Sequence, residues 1–181
     1  GCRKQEAYEF DGVEDFKSVM DLRYALLPYI YSEFVKAALT GGMYFRPLAF
    51  DWPEDERAVR CEDELLVGEG ILIAPVYTQN ARGRCVYLPE PMTMVTWKAG
   101  HFEQRSVPKG DFFVEVPLDT VVFFVRSGKT VPLCKVATCT DEVRTDVFDF
   151  AGDGESYSLY DDDGCSLDID LECGMRTLKS K

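Results

Sequence analysis

The chain has 181 residues, of which 46% are hydrophobic and 13% aromatic, and its formal net charge is -12. This apolar content is enough for a packed core and excludes wholesale disorder, and the length suits one domain or one domain with an appendage. The acidity argues against nucleic acid or an anionic membrane surface as a partner, and no apolar run approaches the roughly 20 residues that span a bilayer.

The cysteines give little sign of a metal site or a disulfide framework. There are seven of them, an odd number, no pair has the Cys-x-x-Cys spacing, and His101 is the only histidine. Zinc sites and disulfide scaffolds both need a more regular pattern. The composition therefore predicts reduced thiols in a cytoplasmic protein. No basic segment followed by an apolar one opens the chain, so we expect no secretory signal.

The first predicted element is a helical stretch over residues 13–40. Asp11 and Glu14 have capping-box spacing at its start, Pro28 predicts a kink or a break, and Gly41 with Gly42 predicts its end. Its apolar residues form two stripes, so we expect the helix to be covered on both sides. The stripes are Phe16, Met20, Tyr24, Leu27, Tyr31, Phe34 and Ala38, and Val19, Leu22, Leu26 and Ile30.

After Gly42 the periodicity changes from helix to strand. Apolar runs of strand length recur every 8–12 residues or so with turn residues between them, which is typical of an antiparallel β-sandwich. Pro47 predicts that the first run is an edge strand or the start of a strand. The predicted strands cover residues 44–50, 65–67, 71–77, 84–88, 92–97, 112–116, 121–126 and 130–133.

The last part of the chain is acidic but still has strand signals. Between Asp141 and Asp170 the sequence has eleven acidic residues and one basic residue, Arg144. This segment therefore holds most of the net charge. Strand-like runs at 147–150, 156–160 and 176–178 predict a small acidic β appendage. The fold class is therefore mainly β, an antiparallel sandwich that follows one or two helices.

Residue patterns that could support chemistry are weak. The run Asp161–Gly164 suggests calcium, but the EF-hand register fails at the first ligand, and a polar turn explains it better. Trp52, Trp97, Tyr77 and Tyr87 could stack on sugars, although strand aromatics more often lie in the core. His101 follows a turn and is expected at the surface. We assign no catalytic residue, no cofactor and no metal.

Several segments, taken together and in order, resemble the C-terminal part of glycoside hydrolase family 31, the α-glucosidase family. Residues 22–31 resemble its L-R-Y-x-L-L-P-Y-x-Y helix and residues 46–55 its R-P-L-x-x-x-x-P-x-D segment. Further matches lie at residues 64–76, 86–89, 125–132 and 160–164, the last resembling a Y-E-D-D-G turn. One departure is that Pro91–Trp97 replaces the W-Y-D run that family members often carry.

The resemblance implies that the chain supports a catalytic barrel and does not itself cleave sugars. Residues 1–42 would be the C-terminal helical segment of a (β/α)8 barrel, residues 43–138 a proximal β-sandwich, and residues 139–181 a small β appendage. The parent would be a retaining α-glucosidase with an α-linked glucose oligosaccharide as its substrate. Its catalytic carboxylates would lie upstream in the same polypeptide. The alternative is a non-catalytic carbohydrate-binding β-sandwich.

Overall fold

The structure is a computed structural model that describes residue 9, residues 11–166 and residues 170–180. Two helices come first, α1 (Val13–Ala25) and α2 (Leu27–Thr40). The predicted break is confirmed, because Leu26 separates the helices and Pro28, which has no N–H to donate, lies in the first turn of α2. Gly41 ends α2 with a φ of 69°. The predicted cap at Asp11 is wrong, since α1 begins one residue later, with Gly12 as its N-cap and no side-chain cap.

The other regular elements of the described chain are twelve strands, three short α-helical turns and a 3₁₀ turn at Thr140–Glu142. The α-helical turns are α3 (Leu48–Asp51), α4 (Glu56–Val59) and α5 (Leu171–Gly174). The strands are β1 (Phe45–Pro47), β2 (Leu65–Val67), β3 (Ile71–Ile73), β4 (Gly83–Leu88), β5 (Met92–Lys98), β6 (His101–Val107), β7 (Gly110–Glu115), β8 (Thr120–Arg126), β9 (Thr130–Cys134), β10 (Phe148–Gly152), β11 (Ser156–Tyr160) and β12 (Met175–Lys179).

The strands pair antiparallel throughout the described residues, which confirms the predicted mainly β class. One sheet has six strands in the order β1-β2-β3-β8-β5-β6, and three two-stranded units pair β4 with β7, β9 with β10 and β11 with β12. β1 is an edge strand, one of the two placements predicted from Pro47, and it ends at Pro47, which is the N-cap of α3. No helix among the described residues is both long and apolar enough to cross a membrane.

The central strands of the six-stranded sheet are buried on both faces, each face against its own apolar cluster. On β8, Phe123 and Val125 contribute to one cluster and Phe124 to the other, as the alternation of side chains along a strand requires. The first cluster joins the sheet to α1, α2 and strands β9 to β11. The second joins it to β4, β7, α3 and α4. This two-sided burial explains why the central strands have nearly continuous apolar sequences.

The first cluster contains residues from all three segments that the sequence suggests as units. Leu22 and Tyr29 come from the helices, Val125 from the sheet, and Tyr157 and Leu159 from the acidic segment. The segments thus share a core in the described structure. The boundaries after residues 42 and 138 stay predictions.

β6 is the strand that the sequence patterns do not predict. It begins at the exposed His101, and five of its seven residues are exposed because it lies at the free edge of the sheet. Such a strand has no alternation of apolar and polar residues to reveal it. The strand predicted over 71–77 is also shorter than expected, ending at Ile73.

Candidate functional site

Four charged side chains form a connected network where β1 and α3 meet the end of β8. The Asp51 carboxylate accepts hydrogen bonds from Arg46 Nε at 2.7 Å and Nη2 at 3.0 Å, and from Arg126 Nη1 at 2.5 Å. Arg126 also donates from Nε to Glu90 Oε1 at 3.0 Å. All four side chains are largely shielded from solvent, with 17–24% of their area exposed. The network joins residues that are up to 80 positions apart in the sequence.

Two further contacts connect this network to Trp52, the residue after α3, and to the turn between β2 and β3. The guanidinium carbon of Arg126 lies 4.5 Å from the ring centroid of Trp52, a cation–π distance. Arg46 Nη1 donates to the backbone carbonyl of Gly68 at 3.1 Å, in the turn between β2 and β3. Asp51 at the end of α3 is thus bonded to Arg46 of β1 and to Arg126 of β8. These bonds fix the position of α3 against the two strands.

The electrostatics favour a positioning role and not proton transfer. The hydrogen bonds from Arg46, followed by the nearby charge of Arg126, lower the pKa of Asp51 below its ordinary value. Asp51 is therefore ionised at neutral pH and both its oxygens are occupied by arginine donors. A general acid needs the opposite arrangement, a carboxyl held protonated near the working pH.

Asp51→Asn is expected to lower the free energy of unfolding at pH 7 by roughly 1.5–3 kcal/mol, because the variant loses charge-assisted hydrogen bonds. The folded pKa of Asp51 is depressed, so its contribution is complete above the unfolded pKa of about 3.9 and is lost as the pH falls through the folded pKa. Urea unfolding from pH 7 to pH 2 should therefore show the two proteins converging only below about pH 4.

The matched control for this measurement is Asp149→Asn, at an exposed position on β10. It should change the free energy of unfolding by no more than about 0.5 kcal/mol. A difference between wild type and Asp51→Asn that is as large at pH 2 as at pH 7 would rule out the ionised carboxylate as its source.

The four aromatic residues predicted as sugar platforms lie in different environments. Trp97 and Tyr87 are buried, and each uses its polar atom inside the protein: Trp97 Nε1 donates to the Ser18 carbonyl at 3.0 Å and Tyr87 Oη to Asp55 Oδ2 at 2.6 Å. Trp52 packs against Arg126. The ring of Tyr77 is 72% exposed. The structure does not gather these aromatics into one surface.

The acidic run Asp161–Gly164 forms a turn whose carboxylates accept hydrogen bonds from the following backbone N–H groups and from a side chain of α2. Asp163 accepts from the backbone N–H groups of Ser166 at 2.8 Å and Cys165 at 2.9 Å, which lowers the pKa of Asp163 to about 2. Asp162 accepts from the Tyr31 hydroxyl on α2 at 2.6 Å, and this bond raises the pKa of Tyr31 to about 12. The polar-turn interpretation of this run fits these contacts.

The cysteines of the described chain are free thiols. Cys134 is buried in β9, Cys61 is half-buried, and four others are exposed: Cys85, Cys139, Cys165 and Cys173. Cys2 lies outside the described residues. His101 is exposed, as expected.

Sequence patterns did not single out Arg46, Asp51, Glu90 or Arg126 for any role. Arg46 and Asp51 fall in the R-P-L segment and Arg126 ends β8 before the Ser127–Gly128 turn, so each lies within two residues of a proline or glycine. Charged residues in such places are common, and only the fold shows that these converge.

Comparisons with known proteins agree with the resemblance. The profile of the glycosyl hydrolase family 31 C-terminal domain matches residues 41–131. "Alpha-glucosidase 2" of Bacillus thermoamyloliquefaciens is 34% identical over 91% of this chain and 21% of its own length. "Lysosomal alpha-glucosidase" of Mus musculus is 33% identical over 96% of this chain and 20% of its own length. A family 31 dextranase from Flavobacterium johnsoniae, solved with isomaltotriose, superposes with a TM-score of 0.71 at 27% identity, covering 91% of this chain and 21% of the dextranase.

The architecture is therefore that of the C-terminal β region of a family of glycosidases. The chain belongs to glycoside hydrolase family 31. It spans about a fifth of the length of the curated relatives that it matches.

Proposed function

We propose that the chain is the C-terminal supporting part of a retaining α-glucosidase that hydrolyses terminal α-glucosidic bonds of oligosaccharides. Residues 1–42 would complete a catalytic barrel in the same polypeptide, residues 43–138 would form the proximal β-sandwich, and residues 139–181 the appendage. Retaining hydrolysis needs a carboxylate nucleophile and a carboxylic acid/base. Both groups would lie in the barrel. The names of the relatives support this substrate class, since two are named as α-glucosidases.

The main observation in favour of a role in supporting the barrel is an aromatic face formed by Phe34, Tyr44 and Phe45. The ring centroids of Phe34 and Tyr44 are 6.1 Å apart, and those of Tyr44 and Phe45 are 4.4 Å apart. Phe34 and Phe45 are nevertheless 54% and 55% exposed. Contiguous apolar surface of this kind marks a contact with another protein surface.

Helix α2 explains why this face needs a partner. Its inner side is buried against β9, β11 and the sheet, where Tyr29 belongs to the first apolar cluster, while Phe34 and Leu39 are exposed. A helix that is apolar on two sides is stable when both sides are covered. The sheet covers one side, and a barrel packed on the aromatic face would cover the other.

Replacing Phe34 and Phe45 together by serine tests this face. We expect the 181-residue chain to self-associate with rising concentration in sedimentation velocity, because its aromatic face is uncovered, and the double variant to stay monomeric. The control is Phe113→Ser, which removes an equally exposed ring (60%) from β7. Wild type and double variant sedimenting alike would contradict the proposed docking face.

The same preparation tests where the chemistry lies. The chain alone should release no aglycone from an aryl α-glucoside, and turnover by a clean sample would show that catalytic groups lie within it. Saturable binding of maltose or isomaltose in titration calorimetry would instead favour the alternative, a carbohydrate-binding module.

We also propose a cytoplasmic location. Four of the free thiols in the described chain are exposed, and a reducing compartment keeps such thiols free. Fractionation of the full-length protein into an oxidising compartment would contradict this.

A further inference from the structure

A group of potential metal ligands lies away from the charged network, in a cleft beside β4. Cys61 follows α4, and Asp63 and Glu64 lead into β2. One donor atom from each of the three lies within 4.8 Å of the others. The cleft has a volume of about 390 Å³ and is also lined by Tyr77 and Arg84.

Glu64 is the buried member of this group and has an unsatisfied oxygen. Only 2% of its side chain is exposed. Its Oε1 accepts from the Tyr87 N–H at 2.8 Å, whereas Oε2 has no hydrogen-bond partner among the described residues. Buried carboxylate oxygens are almost always paired, because leaving one unpaired carries a large desolvation cost. The orphan oxygen therefore points to a ligand that supplies positive charge.

The two oxygens of Asp63 have separate neighbours. Oδ2 is 2.5 Å from Arg84 Nη2 and accepts from the Tyr77 hydroxyl at 3.2 Å. Oδ1 lies 3.7 Å from Cys61 Sγ. Asp63 can thus bind a cation through Oδ1 while it keeps its contact with Arg84 through Oδ2.

The charges in the cleft leave room for a divalent cation. Arg84 is fixed by hydrogen bonds from Nη1 to the carbonyls of Asp63 and Pro75, both at 3.0 Å, and its Nη2 is 3.7 Å from Glu64 Oε1. The cleft is lined by three guanidinium groups, those of Arg57, Arg60 and Arg84, and by four carboxylates, those of Glu62, Asp63, Glu64 and Asp111. With Cys61 as thiolate, the lining would carry two more negative than positive charges, and one added M²⁺ would neutralise them.

We propose that Cys61, Asp63 and Glu64 bind a zinc-class divalent cation. Zinc accepts thiolate and carboxylate ligands together, whereas calcium and magnesium take oxygen ligands only. The Cys61 thiol loses its proton to solvent on binding. Zinc bond lengths set ligand separations of roughly 3.3–3.5 Å, so the donor atoms need to approach by about 1 Å, within reach of side-chain rotation.

Burial disfavours the charged forms of Glu64 and of the half-buried Cys61 and raises their pKa values to about 7 and about 11, so a bound cation would have to displace protons from these two ligands. The metal would bridge the segment after α4 to the start of β2, so we expect it to act on stability.

Titration of the 181-residue chain with Zn²⁺ and with Cd²⁺ tests the site. We expect one equivalent of Zn²⁺ to bind in calorimetry, a rise in melting temperature on binding, and an ultraviolet cadmium–thiolate charge-transfer band. Cys61→Ser should abolish the band, and Glu64→Gln should weaken zinc affinity at least tenfold. Asp63→Asn, at a position whose side chain is 40% exposed, should weaken it similarly and gives a variant that retains the fold.

The control is Cys139→Ser, which removes an exposed thiol outside the cleft. It should leave the stoichiometry, the band and the thermal shift unchanged. Absence of binding by the wild-type chain would overturn the proposal. So would a cadmium band that survives in Cys61→Ser or disappears in Cys139→Ser, or a zinc affinity that Asp63→Asn and Glu64→Gln leave unchanged.

Discussion

Replacing Glu33 by alanine is expected to lower the free energy of unfolding by about 3–5 kcal/mol, the cost of breaking a buried, hydrogen-bonded ion pair from one side. Only 3% of the Glu33 side chain is exposed. Its Oε1 accepts from the Tyr157 hydroxyl at 2.7 Å and from Lys36, and its Oε2 accepts from the Glu69 N–H at 2.8 Å. The alanine variant would leave all three donors without this acceptor.

This carboxylate holds three separate parts of the chain together. Glu33 lies on α2, Glu69 in the turn between β2 and β3, and Tyr157 on β11. Tyr29, one turn earlier on α2, supports the same junction by donating to the Val67 carbonyl at 2.8 Å and accepting from the Gly70 N–H at 3.0 Å. Loss of Glu33 should therefore loosen the helix, the sheet and the acidic segment together.

Urea unfolding followed by circular dichroism measures this effect. The control is Glu69→Ala, whose side chain is 66% exposed and pairs with Lys129, and which should cost no more than about 1 kcal/mol. A double-mutant cycle of Glu33→Ala with Tyr157→Phe should give a coupling energy between about 0.5 and 3 kcal/mol. A loss below about 1 kcal/mol for Glu33→Ala would show that the buried carboxylate is not the link we describe.

The elements that sequence predicts correctly are those with a local physical cause. Pro28 breaks the helical stretch because it has no N–H, and Gly41 ends it because it adopts positive φ without strain. The sequence predicts β5 and β8 to within about a residue because these strands lie centrally in the sheet and are buried on both faces. In each case a few neighbouring residues determine the outcome.

The candidate site could not be predicted because its residues converge only through the fold. Arg46 and Arg126 are distant in sequence yet both donate to the Asp51 carboxylate, and no local sequence pattern predicts that contact. The same holds for Glu33 and Tyr157. β6 is not predicted for a different reason. A strand at the free edge of a sheet is largely exposed, so its sequence need not alternate between apolar and polar residues.

Trp97→Ala is expected to lower the free energy of unfolding by about 3–5 kcal/mol, because it empties a large buried volume between β5 and α1. The indole is 3% exposed, and its Nε1 donates to the Ser18 carbonyl at 3.0 Å. Ser18 Oγ in turn accepts from the Ala99 N–H at 3.1 Å, so α1 is clamped to the turn after β5. Denaturant unfolding of the purified variants gives the measurement.

Trp97→Phe separates the two contributions of this side chain. It keeps most of the apolar volume but leaves the Ser18 carbonyl without its donor, so we expect a loss of about 1–3 kcal/mol. The control is Tyr77→Ala at an exposed ring, with a change within about 0.5 kcal/mol. Equal losses for alanine and phenylalanine would assign the whole effect to the hydrogen bond.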